Sequence, residues 1–139
     1  MVIAVRYDTQ TGNTKKLADA IAAALGVEAK DVSVPLEGKT DLMFLGSSVY
    51  AAGASQKIKD FIAFLNPDQV GEVACFSTAA LLPSTYRQVS RLLQGRGIAV
   101  RAEEFHCRGQ FHFMHRGKPD AADLQAAAEF ARKAAGDRP

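Results

Sequence analysis

Residues 9 to 14, Thr-Gln-Thr-Gly-Asn-Thr, set three hydroxyls, two amides and a glycine between an apolar run and an Ala-rich periodic segment. A loop of this kind sits where a helix begins, and a helix N-terminus offers unpaired N–H groups and a partial positive charge. Thr9, Thr11 and Thr14 add hydroxyl donors, and Gln10 and Asn13 add amides. Gly12 admits a backbone shape, or a close approach, that a Cβ would block. The next cation is Lys15, so the cage is built of neutral donors and suits a phosphate dianion. Its spacing departs from GxxxxGK[ST], which serves a triphosphate with magnesium, and from GxGxxG, which serves a dinucleotide. A terminal monophosphate fits best. The plainer alternative is a capped turn, with Thr11 or Asn13 as N-cap.

Other reactive groups carry less. His106, Cys107, His112 and His115 have plausible metal-ligand types, but their HC-x4-H-x2-H spacing matches no zinc pattern. Their alternation with Phe105, Phe111, Phe113 and Met114 reads as a packed loop, or as the border of a site facing a partner or a hydrophobic substrate. Cys75 and Cys107 form no CxxC pair; Cys75, inside VACF, reads as a buried free thiol. Asp8 reads as a turn residue rather than an acid catalyst. There is no CxxxxxR phosphatase loop and no Ser-His-Asp elbow. A net charge of +2 is too small to imply nucleic acid. Arg87, Arg91, Arg96, Arg101, Arg108, Arg116 and Lys118 gather late in the chain, where a solvated basic face is the default. No apolar run reaches the roughly 18 residues of a membrane helix. Residues 1 to 5 lead into a strand pattern rather than a cleavage site, so a cytoplasmic protein without membrane contact is expected.

These groups need a scaffold, and 139 residues suffice for one domain, 1–139, with one sheet and its covering helices. Apolar runs predict strands at 1–7, 29–34, 41–48, 70–78 and 97–105. Helical spacing predicts helices from Asn13 or Thr14 to Leu25, over 55–65, over 84–97 with Ser84 as N-cap, and from Pro119-Asp120 onward. Only residues 35–40 separate the second and third strands, too few for a crossover helix. Strands that are apolar throughout are covered on both faces, as in a parallel α/β sheet. Ligands in such sheets bind beyond the carboxyl ends of the strands. The candidate site is therefore loops 8–14, 46–54, 77–84 and 105–118.

TQTGNT after a first strand resembles the phosphate loop of the flavodoxins, which hold the phosphate of FMN without a basic residue. GSSVYAAG (46–53) resembles their first flavin-contacting loop, and VACFST (73–78) the strand leading to the second. FHCRGQF and GKPDAADL resemble the C-terminal region of short flavodoxin-like proteins. The resemblance covers nearly the whole chain. It implies a flavodoxin-like three-layer α/β sandwich with a five-stranded parallel sheet in the order 2-1-3-4-5. It also implies an FMN-binding electron carrier that acts with redox partner proteins, as a monomer. The implied FMN contacts are Thr9, Gln10, Thr11, Gly12, Asn13 and Thr14 for the phosphate. Around the ring they are Ser47, Ser48, Val49, Tyr50, Ala51 and Ala52, then Ser77, Thr78, Ala79, Ala80, Leu81 and Leu82.

The chain departs from the family pattern at several points. Tyr50 can stack on one ring face, but the second loop offers only Leu81 or Leu82 for the other, which is covered by them or left open. Ala51-Ala52 stands where flavodoxins carry a Gly-Asp pair. A peptide flip toward the flavin there costs on the order of 1 kcal/mol more than at glycine, and the usual negative charge is missing. Both changes narrow the gap between the two electron steps. Flavodoxins tend to be acidic and this chain is slightly basic, so an acidic docking surface on the partner is expected. Two alternatives to a carrier stand: an FMN-dependent reductase with an open flavin face, and a flavin-free interaction module.

Overall fold

The computed structural model describes residues 1–49, 53–79, 84–110 and 115–136. Strands β1 (Ile3–Tyr7), β2 (Ala29–Asp31), β3 (Thr40–Val49), β4 (Val70–Ala79), β5 (Ala99–Val100) and β6 (Phe105–Arg108) form one parallel sheet. Its order is β2-β1-β3-β4-β5, with β6 also paired to β4. This is the expected 2-1-3-4-5 arrangement, its outer strand made in two pieces. Helices α1 (Asn13–Leu25), α2 (Gln56–Phe64), α3 (Tyr86–Gly95) and α4 (Ala121–Gly136) cover the sheet. Among the described residues no helix is long and apolar enough to cross a membrane.

Both sheet faces are buried, which explains the unbroken apolar strands. On one face Val5, Leu42, Phe44, Ala74 and Phe76 meet Leu17, Ala18 and Ile21 of α1 and Ala127, Ala131 and Ala134 of α4. Small alanines on α4 let it lie close to α1. Phe130 of α4 adds an edge-on contact to Phe44 with ring centroids 6.0 Å apart. On the other face Met43, Leu45, Val73 and Cys75 meet Ile58 and Ile62 of α2 and Val89 and Leu93 of α3. Cys75 is thus a buried free thiol, as expected, and burial pushes its pKa up to about 12.

Three predicted elements differ. The second strand ends at Asp31 rather than residue 34, because the chain turns immediately: Val34 N–H returns to the Asp31 carbonyl at 3.0 Å. The third helix is shorter than 84–97 and begins after Thr85, although Ser84 Oγ does accept the Tyr86 N–H at 3.0 Å. The predicted strand 97–105 is broken. Val73 pairs with Val100 and Phe76 with Phe105, so the outer strand carries two more residues than β4 over that interval. The excess is thrown out around Arg101, which bonds Glu72 Oε1 at 3.0 Å and the Ala134 carbonyl at 2.8 Å. Strand pairing then resumes through Arg108, inside the segment expected to be loop.

The β2-to-β3 connection, residues 32–39, contains no helix. Arg6 compensates from within β1. Its guanidinium, 4% exposed, donates to the carbonyls of Val34 at 2.8 Å and Pro35 at 3.0 Å, tying the loop down. Burial lowers the pKa of Arg6, with Glu37 opposing.

Candidate functional site

β1, β3, β4 and β6 end side by side, and the loops of the candidate site follow them. Gly12 lies at φ 92°, ψ −4°, a left-handed conformation, and ends the loop as N-cap of α1. A Cβ there would meet no atom within 4 Å, so its glycine is a matter of backbone shape rather than space. The N-cap is neither Thr11 nor Asn13 but Gly12, which has no side chain to cap with. Instead Gly12 N–H donates to Thr9 Oγ1 at 2.9 Å, folding the loop back over the helix start. Lys15 reaches down α1 to Asp19 at 2.8 Å, away from the loop, and that contact raises its pKa. Residues 9–14 carry no charged side chain, and Lys15, the cation next to them in the chain, is engaged elsewhere.

Beneath the cage lies a knot of hydroxyls. Thr14, fully buried, bonds Ser48 Oγ at 2.5 Å and Thr78 Oγ1 at 2.8 Å. The register that places Ser48 opposite Thr78 brings all three together. On the opposite sheet face Ser47 bonds Thr85 Oγ1 at 2.5 Å, and Ser77 donates to Ser84 Oγ at 3.4 Å. The strand-end candidates Ser47, Ser48, Ser77 and Thr78 are each 5% exposed or less. Their hydroxyls therefore hold strand ends together rather than reach outward. Gly46, just below, has no room for a side chain: a Cβ would stand 2.2 Å from the buried Phe76 ring.

Other side chains act as struts that the sequence reading did not assign to that role. Asp8 is 2% exposed and accepts from the Ser55 hydroxyl, which also caps α2 by taking the Ile58 N–H at 3.2 Å. It is a tie between β1 and α2 rather than a turn residue. Gln88 of α3 accepts the Ala54 N–H at 2.8 Å, steadying the end of the first ring loop. Glu104 accepts from Ser84 at 3.3 Å and contacts His106 Nδ1 at 2.6 Å. Asn13 Nδ2 donates to the Gln110 carbonyl at 2.8 Å, and Gly109 N–H to the Ala79 carbonyl at 3.2 Å, so the loop after β6 closes against residues 9–14. The Ser55 cap is local, although the expected helix 55–65 had placed Ser55 inside it; the rest depend on contacts between distant segments.

Thr9 is half-buried, while Gln10 and Thr11 are exposed at the rim. Ala79 is buried at the end of β4, and the backbone of Val49 ends β3. Tyr50, Ala51, Ala52, Ala80, Leu81 and Leu82 lie outside the described residues, as do Phe111, His112, Phe113 and Met114. The expectations of a stacked Tyr50, an open second face and a bordering aromatic loop all fall there. Cys107 is a half-buried free thiol whose pKa burial pushes up to about 12. The late basic residues do not act as one patch: Arg96 donates to the Leu65 carbonyl, Arg101 is committed to Glu72, and Lys118 pairs with Asp120 and Asp123.

Comparison with known proteins bears on this arrangement. Residues 4–112 match the flavodoxin domain family. The chain belongs to the flavodoxin family. Its fold is similar to that of a flavodoxin from the domain Archaea, with a TM-score of 0.82 at 20% identity over 98% of this chain and 97% of the other. Flavodoxin 2 from Bacillus cereus is similar with a TM-score of 0.75 at 19% identity, over 99% and 100%. The rubredoxin oxygen:oxidoreductase of Desulfovibrio gigas is similar over 94% of this chain but only 34% of its own length, with a TM-score of 0.74 at 14% identity. No curated protein matches the sequence.

Proposed function

We infer that this protein is an electron carrier that works through bound FMN, with the phosphate in residues 9–14. The observation that carries the reading is the start of α1. Its N-cap is a left-handed glycine with no side chain to cap the first N–H groups, behind a run of neutral donors. The donor set fits a phosphate monoester: no carboxylate faces it from Asp8, which is held by Ser55, and the nearest lysine is turned away. When bound, the flavin supplies one- and two-electron chemistry.

The chain's own part is binding and orientation. Thr9, Gln10, Thr11 and Asn13 surround the phosphate with the helix N-terminus, to which Thr14 adds its backbone N–H while its hydroxyl stays with Ser48 and Thr78. The backbones at Ser47–Val49 and Ser77–Ala79 set the ring loops, fixed by hydroxyl pairs beneath them. Tyr50 stacks on one ring face, with Ala51, Ala52, Ala80, Leu81 and Leu82 around the remainder. A cytoplasmic home fits two free, poorly ionised thiols. α3 carries Arg87 and Arg91 one turn apart, both exposed, and no acidic residue, which favours a redox partner with an acidic docking surface.

Calorimetric titration of the apo-protein with FMN and with riboflavin tests the reading. FMN should bind far more tightly, and Tyr50→Ala should weaken binding and restore the fluorescence of bound flavin. Equal affinities for the two flavins would remove the phosphate cage from the account.

A further inference from the structure

Asn13 belongs to two parts of the molecule at once. It is the first residue of α1, and its side-chain Nδ2 donates to the Gln110 carbonyl at 2.8 Å, across 97 residues of chain. The facing backbone is shaped for that contact. Gly109 is buried, and a Cβ on it would stand 2.8 Å from Asn13 Nδ2 and 3.2 Å from Asn13 Cβ and Cγ. Gly12 is a glycine for backbone shape; Gly109 is one for space. Gln110 passes the contact on. Its N–H donates to the Lys118 carbonyl at 2.9 Å, and its Oε1 accepts the Gly117 N–H at 3.1 Å. Lys118 N–H closes the turn on the His115 carbonyl at 3.1 Å. That turn needs support. His115 lies at φ 52°, a left-handed conformation that a non-glycine residue keeps only where its surroundings hold it, and Gly117 follows at φ 75°. Arg116 and Gly117 are exposed, so the turn faces solvent.

We propose that Asn13 couples the filling of residues 9–14 by a phosphate group to the order of the turn 115–118, acting through Gln110 with Gly109 making room. The coupling rests on the reading of residues 9–14 as the FMN phosphate site. A phosphate at the start of α1 fixes Asn13, the residue whose amide holds Gln110. Asn13 then has to be ordered only once for both contacts, so each makes the other more favourable. The effect is reciprocal: a turn held by Gln110 keeps Asn13 in place for the phosphate. Asn13 is thus a positioning residue for the turn as well as a member of the loop. The exposed turn is tighter in the loaded carrier than in the empty one.

Amide hydrogen exchange, resolved by residue, tests both halves. In the apo-protein, Asn13→Ala should speed exchange of the Gly117 and Lys118 N–H groups about tenfold, the factor that one lost hydrogen bond carries. Amides in the centre of β3 and β4 should keep their wild-type rates. Gly109→Ala should have the same effect, by pushing Gln110 off Asn13. The double variant should exchange no faster than the faster single one, because both changes break one contact. Saturating FMN should slow the two amides about fivefold or more in wild type, and leave them unchanged in Asn13→Ala. Wild-type rates in apo Asn13→Ala, or multiplied effects in the double variant, overturn the link from Asn13 to the turn. FMN that binds wild type without slowing the two amides, or that slows them equally in Asn13→Ala, overturns the coupling. FMN that fails to bind wild type removes the phosphate reading and the coupling with it, while the apo-protein rates still decide the link.

Discussion

Thr14 is the residue on which the site's geometry turns. It is fully buried, and its single hydroxyl serves both Ser48 and Thr78, so the helix that follows loop 9–14 is locked to two strands at once. Removing that hydroxyl leaves buried polar groups with a partner lost, a cost of about 1–3 kcal/mol. Thr14→Val should lower apo-protein stability by that amount in urea unfolding, while Thr14→Ser, which keeps the hydroxyl, should lose less than half as much. Equal losses would mean that the methyl and not the hydroxyl matters. Gly12 makes a different demand. Its φ of 92° disfavours any side chain even though nothing obstructs one. Gly12→Ala should cost about 1–2 kcal/mol of stability before any flavin is added. An unchanged urea midpoint would show that the helix start relaxes to another conformation.

At the scale of elements, α4 carries the clearest pH signature. Asp120 N–H donates to Asp123 and Asp123 N–H returns to Asp120, each at 2.9 Å, with Lys118 bridging both carboxylates. The Lys118 contact first, then the Asp123 N–H, holds the Asp120 pKa down at about 2. A depressed carboxylate stabilises the fold above its unfolded value near 4 and loses that contribution as pH falls toward 2. Wild type should therefore lose stability over that window relative to Asp120→Asn, measured as urea midpoints from pH 5 to 2; parallel curves would contradict it. The same segments show what a chain order discloses. The Asp120 opening of α4 is a local signal and was legible. The break between β5 and β6 was not, because an excess of two residues exists only relative to β4. Arg6 was read as part of an apolar strand, since the carbonyls that satisfy it lie 28 and 29 residues away.

For the whole molecule, a parallel sheet buried on both faces could be read from unbroken apolar runs, and the run of neutral donors that ends at the start of α1 from six consecutive residues. Whether Ser47, Ser48, Ser77 and Thr78 face outward or lock together could not, because register between strands decides it. The orientation of Lys15 toward Asp19 has a consequence for solution behaviour. A dianion held by lysines would be released as dissolved ions screen the attraction, and at 1 M salt that screening acts within about 3 Å. Here the phosphate would meet only dipoles at contact distance, inside a chain of 17 basic and 15 acidic groups that projects little long-range field. The FMN dissociation constant should therefore change less than about threefold between low salt and 1 M potassium chloride. A tenfold or greater rise would place a cation beside the phosphate after all. Cells that swing widely in internal ionic strength would keep such a carrier loaded with its cofactor throughout.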